Sequence, residues 1–150
     1  MRASVGDPDP RRVVVDTNVL ISAALVAGGT PARLVQRVLE RGMLVFSPAT
    51  LAEFRTRLWR PKFDRYITIE QRQRIVHDLH TAAVIIEVSA AVAQVSFCPD
   101  ADDDKFVHAA LAGRAPWLVT GDGDLLEMAP VAGLAVVSPA TALGLAGFLS

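Results

Sequence analysis

Four acidic residues stand where their type and spacing could do chemistry: Asp16, Glu53, Asp103 and Asp122. Asp16 ends the apolar run Val13-Val14-Val15, and Asp122 closely follows Trp117-Leu118-Val119-Thr120. Short apolar, β-branched runs bounded by polar residues read as strands buried on both faces. Both acids then fall at the C-terminal ends of strands, where open α/β sheets place their ligands. Asp103, with Asp104 beside it, opens the helical pattern that leads into the second of these strands, and Glu53 lies early in the helix after another. Right-handed crossovers bring such positions towards one edge of a parallel sheet. Carboxylates gathered there repel, and without a cation at least one pKa rises. All-oxygen ligation suits a hard divalent ion, Mg2+ or Mn2+. The chemistry such a site serves is phosphodiester hydrolysis, in which the ion lowers the pKa of a bound water and neutralises charge on the transferring phosphate.

Each acid also has a purely structural reading. Asp16 and Asn18 could make only turn and cap bonds, and Glu53 could pair with Arg57 one helical turn on. Asp100, Asp102 and Asp104 read as a solvated first turn that complements a helix dipole, and Asp124 as a cap for Leu125-Leu126. Other sites lack essential parts. His77, His80, His108 and Cys98 show no zinc-ligand spacing. Gly121-Asp122-Gly123-Asp124 lacks the closing glutamate of a calcium loop, and no Lys-Ser/Thr follows Gly28-Gly29 as a phosphate loop requires. Arg55, Arg57, Arg60, Lys62 and Arg65 form either a solvated helix face or a phosphate-steering rim beside the acids, and the rim is the reading we favour.

The elements that must position these residues alternate. Strands are expected at 13–15, 43–46, 84–88, 117–120 and 134–137. Helical segments are expected at 21–27, 31–41, 49–59, 70–80, 103–112 and 139–145, with Thr30 and Thr68 as caps. Leu34, Val35, Val38 and Leu39 make one apolar face, and Ile75, Val76 and Leu79 another. This order predicts a three-layer α/β/α domain around a central, mainly parallel five-stranded sheet. A flexible N-terminal segment is expected over 1–11 and one domain over 12–150.

Composition sets the bounds. A chain of 150 residues is about one domain. It is 51% hydrophobic, with a mean hydropathy of +0.35, yet has no unbroken apolar run of ~20 residues, which argues against a membrane span. The first ten residues have no apolar core of a secretory signal. One cysteine, Cys98, excludes an internal disulfide framework and suits a reducing cytoplasm. A net charge of −1 means that total charge does not announce a nucleic-acid binder.

Three pieces together resemble the PIN-domain ribonucleases, within the VapC-like branch of toxins from type II toxin–antitoxin pairs. They are Val15-Asp16-Thr17-Asn18-Val19-Leu20-Ile21-Ser22, Leu51-Ala52-Glu53-Phe54 with Arg60-Pro61-Lys62-Phe63, and Asp103-Asp104-Lys105-Phe106 through Val119-Thr120-Gly121-Asp122-Gly123-Asp124-Leu125-Leu126. The resemblance spans residues 13–139. It implies a metal-dependent endoribonuclease with catalytic Asp16, Glu53, Asp103 and Asp122, of which Asp16, Asp103 and Asp122 hold the ion. It makes Thr17, Asn18 and Thr120 supporting residues and Asp104 the weaker candidate for the third acid. Arg55, Arg57, Arg60 and Lys62 would meet RNA. The partners it implies are an RNA substrate, a cognate antitoxin and, through the apolar surfaces at Leu25, Val26, Val35 and Leu39, a second copy of the chain. Two other readings remain open: a non-catalytic Mg2+-binding domain of response-regulator type, which wants a strand-end lysine absent here, and a PIN-like nuclease of RNA processing. A PIN-like nuclease acting on DNA flaps would need more acids and helices than this chain has.

Overall fold

The computed structural model describes residues 7–150. The valine run forms β1 (Arg12–Val15), and its neighbours are β2 (Met43–Phe46), β3 (Val84–Ile85), β4 (Trp117–Val119) and β5 (Ala135–Val137). All pair in parallel, in the order β3-β2-β1-β4-β5. The third strand ends three residues short of the expectation. The expected flexible segment over 1–11 falls partly on residues 1–6, outside the described residues. Within 7–11, the Asp9 N–H donates to the Arg114 carbonyl (2.8 Å), which ties this stretch to the domain.

Parallel strands need crossovers, and helices supply them on both faces. They are α1 (Thr17–Leu25), α2 (Thr30–Arg41), α3 (Pro48–Leu58), α4 (Ile69–Ala82), α5 (Ala90–Ala93), α6 (Asp104–Ala112), α7 (Gly123–Leu126) and α8 (Pro139–Gly144). Alternation along each strand divides the core into two layers. Val13, Val15, Leu44, Phe46 and Val119 pack with Leu20, Leu34, Val38, Phe54, Leu58 and Leu79 from the helices on one side. Val14, Val45 and Leu118 pack with Phe106, Val107, Ala110 and Leu125 on the other. Phe46 stacks on Phe54 with ring centroids 6.2 Å apart, so Phe54→Ala would leave a cavity costing about 3–5 kcal/mol.

The sequence signals for helix ends hold in part. Ser47, Thr68 and Ser138 each accept a hydrogen bond from the backbone N–H three residues on, and Gln71 completes a capping box with Thr68. Thr30 is the first residue of α2 rather than its cap; Gly29 takes that place without a side-chain bond. Leu39 is 42% exposed, so the apolar face of α2 continues past the core onto the surface. Gly113 ends α6 close against β2: a Cβ there would lie 2.8 Å from Val45 Cγ1. Among the described residues, no single helix is long and apolar enough to cross a membrane.

Candidate functional site

The chain leaves β1 for β2 on one side and later returns to β4 on the other, so the β1–β4 boundary is where strand order reverses. In open α/β sheets the crevice beyond the strand ends at such a point is the ligand site. Val15 pairs with Val119 there, so the residues after them emerge side by side. Asp16 is buried, 4% exposed. Its Oδ1 accepts from the Asn18 N–H (3.2 Å) and its Oδ2 accepts from the Thr120 hydroxyl (2.6 Å). Thr120 Oγ1 accepts in turn from the Asp122 N–H (3.0 Å). One hydroxyl therefore joins the two strand-end acids. The cap reading of Asp16 is correct, since it caps α1, and it leaves the acid at the crevice as well.

Burial pushes the Asp16 carboxyl up, against the lowering effect of the Thr120 and Asn18 bonds, and Glu53 and Asp122 add to the rise. Asp103 is raised from 3.8 to about 6, first by desolvation, then by the charges of Asp122, Asp100 and Asp16. Asp16, Asp103 and Asp122 thus occupy one region and feel one another. Among the described residues, no three Asp, Glu, His or Cys side chains stand close enough to hold one ion together. Even so, the donor chemistry fits a hard divalent cation: only oxygens are offered, and their mutual repulsion is what such an ion relieves.

Asp104 departs from the expected solvated turn. It is buried, and its Oδ1 accepts from the backbone N–H groups of Phe97 (3.0 Å) and Cys98 (2.8 Å). Burial alone would raise its pKa, but these two donors hold it below the ordinary aspartate range. Its carboxylate pins the approach to α6 and takes no place among the other acids. The Cys98 thiol, desolvated beside that carboxylate, is pushed up to about 12, which leaves it unreactive at neutral pH. Asp124 is not the cap of its turn either. Asp122 Oδ1 accepts from the Asp124 N–H (2.8 Å), so Asp122 caps α7.

Glu53 lies at the edge of the acidic region with partners of its own. Its side chain is 8% exposed, and its Oε2 meets Lys105 Nζ and Arg57 Nη2 (3.3 Å). Both cations also reach Asp102, at 3.2 Å and 3.6 Å. Glu53 Oε1 is buried without a partner among the described residues. The i,i+4 pair with Arg57 was legible in the sequence. Lys105 was missed, because no local spacing links residues 52 positions apart. The basic cluster is also divided. Residues two apart on a helix do not share a face, and Arg55 turns to His80 on α4 (3.1 Å) while Arg57 turns to the acids. Lys62 lies over the Phe63 ring. A second residue that sequence reasoning missed is buried Arg72, which donates to the Leu58 carbonyl (2.9 Å) and pairs with Asp64 (3.1 Å), holding the connection after α3 in place.

The comparisons with known proteins agree with this architecture. Residues 12–124 match the PIN domain. An uncharacterized protein of Methanocaldococcus jannaschii is 32% identical over 119 residues, 78% of this chain and 74% of its own length. VapBC2 from Rickettsia felis, in a crystal structure bound to a DNA fragment from their promoter, superposes with a TM-score of 0.58 at 17% identity, covering 85% of this chain and 98% of that one. PAE2754 from Pyrobaculum aerophilum gives 0.57 at 17% identity, covering 91% and 89%. The last two are likenesses of fold.

Proposed function

The chain belongs to the PIN-domain family, and from that premise we propose that it is a metal-dependent endoribonuclease, the toxin of a toxin–antitoxin pair. Family membership removes the response-regulator alternative, and the one lysine near the acids, Lys105, lies on α6 rather than at a strand end. The observation that carries the proposal is the meeting of Asp16 and Asp122 at the strand-order reversal, joined through the Thr120 hydroxyl, with the desolvated Asp103 close enough to feel both. A protein that gathers unneutralised acids at its ligand crevice is poised to take up a cation.

Asp16, Asp103 and Asp122 would hold Mg2+ or Mn2+, which when bound supplies an activated water and offsets charge on the phosphate. The protein's own residues prepare that site. Thr120 and the Asn18 N–H fix both oxygens of Asp16, so the carboxylate loses little freedom on engaging a ligand. The buried Thr17 and Thr120 limit water behind the acids. Glu53, neutralised on one oxygen by Lys105 and Arg57, keeps its other oxygen without a partner among the described residues. Arg57 and Lys105 also bring positive charge to the edge along which an RNA backbone would approach, and Arg60 and Lys62, in the connection after α3, are further candidates to meet it. Purified protein incubated with mixed RNAs should cut them, and EDTA should stop the cutting. Absence of cleavage under any Mg2+ or Mn2+ condition would refute the proposal.

Restraint by an antitoxin follows from the same reading, because a nuclease in contact with its own cell's RNA must be held in check. A basic side chain inserted among Asp16, Asp103 and Asp122 would be strongly bound there. A separate apolar groove between α1, α2 and α4, lined by Leu20, Ala24, Val35, Leu39, Ile75 and Leu79, offers area for a partner helix. Exposed Val26 and Leu39 extend the apolar surface, which supports a homodimer in solution. Light scattering after size exclusion tests this, and a monomer at high micromolar concentration would contradict it.

A further inference from the structure

We propose that the cavity beside Asp122 is a nucleoside subsite, taking the base and ribose of one nucleotide next to the phosphate that is cut. The inference rests on the ribonuclease reading and adds to it the part of the substrate that the acids do not handle. The cavity has a volume of about 520 Å³ and lies between the start of α1, the start of α2, the loop after β4 and the start of α8. That is within the usual range for pockets that enclose a small organic ligand.

Its lining selects the class of occupant. Val19, Pro31, Pro139 and Ala140 give it apolar walls, and Pro31 and Pro139 are rigid rings at helix starts. Asn18, Ser22 and Thr30 add an amide and two hydroxyls that can donate to a ligand, while the Ser138 hydroxyl is taken up by Thr141, donating to its Oγ1 (2.9 Å) and accepting from its N–H (3.1 Å). Among the described residues no lysine, arginine or histidine lines it and its one lining charge is the Asp122 carboxylate; Arg33 reaches only its edge, donating to Thr30 Oγ1 (3.3 Å). A free phosphate would meet the Asp122 carboxylate with no lining cation to offset it, and a bare cation would meet only that one carboxylate. A planar, uncharged ring system with hydrogen-bonding edges matches both walls and polar groups, and a ribose supplies the hydroxyls next to it.

The cavity is also placed for that task. Asp122 and Asn18 belong to both the cavity lining and the acidic crevice, so a nucleotide held in one has its phosphate at the other. Gly121 is the joint between them, and a Cβ there would meet no protein atom within 4 Å, which leaves that passage open to a ligand.

The test uses binding and cleavage separately. Asp16→Asn protein without metal is titrated by NMR with the 5′-monophosphates of adenosine, guanosine, cytidine and uridine. At least one should shift the amides of Ser22, Gly121 and Ala140, and Ala140→Trp, which fills the cavity from its exposed rim, should weaken that binding about tenfold or more. In parallel, the wild type is given RNA of randomised sequence with Mg2+ or Mn2+, and the cut ends are sequenced. Ala140→Trp in the active background should raise KM about tenfold and erase base preference at one position flanking the cut. Ser22→Ala should weaken that preference and Ser22→Thr restore it. If the wild type cuts RNA while no nucleotide moves these amides and Ala140→Trp keeps both KM and preference, the subsite is refuted and the nuclease stands. If nucleotides bind as stated but no RNA is ever cut, the subsite stands and the nuclease reading falls. Loss of a co-produced protein partner in Ala140→Trp, with RNA cleavage and preference unaltered, would assign the cavity to that partner and overturn the proposal.

Discussion

Two groups of carboxylates lie close together in this molecule and differ in what surrounds them. Asp16 and Asp122 at the strand ends and Asp103 at the start of α6 have, among the described residues, hydroxyl and N–H donors but no ammonium or guanidinium, and desolvation together with the neighbouring acids raises Asp103 to about 6. Glu53 and Asp102, on the neighbouring edge, share Lys105 and Arg57. The first group carries an unmet demand for positive charge, and the second has largely met its own. Acids that the sequence places in one set are thus divided by the tertiary structure into a crowded group without cationic partners among the described residues and a network held by Lys105 and Arg57. The contrast between Asp103 and Asp104 is sharper still. They are adjacent in sequence, yet one is pushed up by desolvation and by other acids while the other is held down by two backbone N–H groups.

The largest expected effect comes from removing a charge from the first group. Asp16→Asn keeps the volume and can still accept from Thr120 and Asn18, but loses the charge a cation needs. Cleavage should fall by about a thousandfold or more, while circular dichroism stays native. Full activity in this variant would remove the distinction between the two groups. Asp103→Asn should come close to it in activity. Asp104→Asn, which can still accept from the Phe97 and Cys98 N–H groups, should retain most cleavage, and a reversal of the two would shift the assignment of the third acid by one residue.

Asp104→Ala addresses stability instead. It leaves the Phe97 and Cys98 N–H groups without their acceptor, and should cost about 1.5–3 kcal/mol in denaturant melts, with activity per folded molecule retained. Next in size is Lys105→Met. Glu53 would then rely on Arg57 alone, and a loss of about 1 kcal/mol is expected for this partly buried pair. An unchanged denaturation midpoint would show that the network braces nothing.

The smallest effect is a pH dependence. The folded state binds the Asp103 proton more tightly than the unfolded chain does, because its pKa is about 6 against 3.8. Where the unfolded state binds fewer protons, stability falls as pH rises. The metal-free protein should therefore lose some stability between about pH 4 and pH 6 through this group. Asp103→Asn should raise Tm by a few degrees at pH 8 and leave it nearly unchanged near pH 3.5. Added Mg2+ should recover the difference in the wild type at pH 8. A Tm for Asp103→Asn below that of the metal-free wild type at pH 8 would mean the crowded acids impose no strain.

The sequence by itself determined the layers and the strand-end acids. Valine runs, helix-period apolar faces and turn residues are local signals, and each strand buried on both faces writes itself as a short apolar run. That was enough to place Asp16 and Asp122 at C-terminal strand ends, to put Asp103 and Asp104 at the start of a helix, and to pair Glu53 with Arg57. The resemblance already preferred Asp103 to Asp104, but only the tertiary structure gave the physical reason, tying Asp104 to the Phe97 and Cys98 N–H groups. A one-residue step around a helix start turns a side chain through roughly 100°, and composition is blind to it. Only the fold brought Lys105 to Glu53, drew Arg55 away to α4, buried Arg72 under a loop, and gathered Ser22, Thr30 and Ser138 around one cavity. These contacts join residues far apart in the chain, and their partners are chosen by the packing of whole elements, so no local spacing records them.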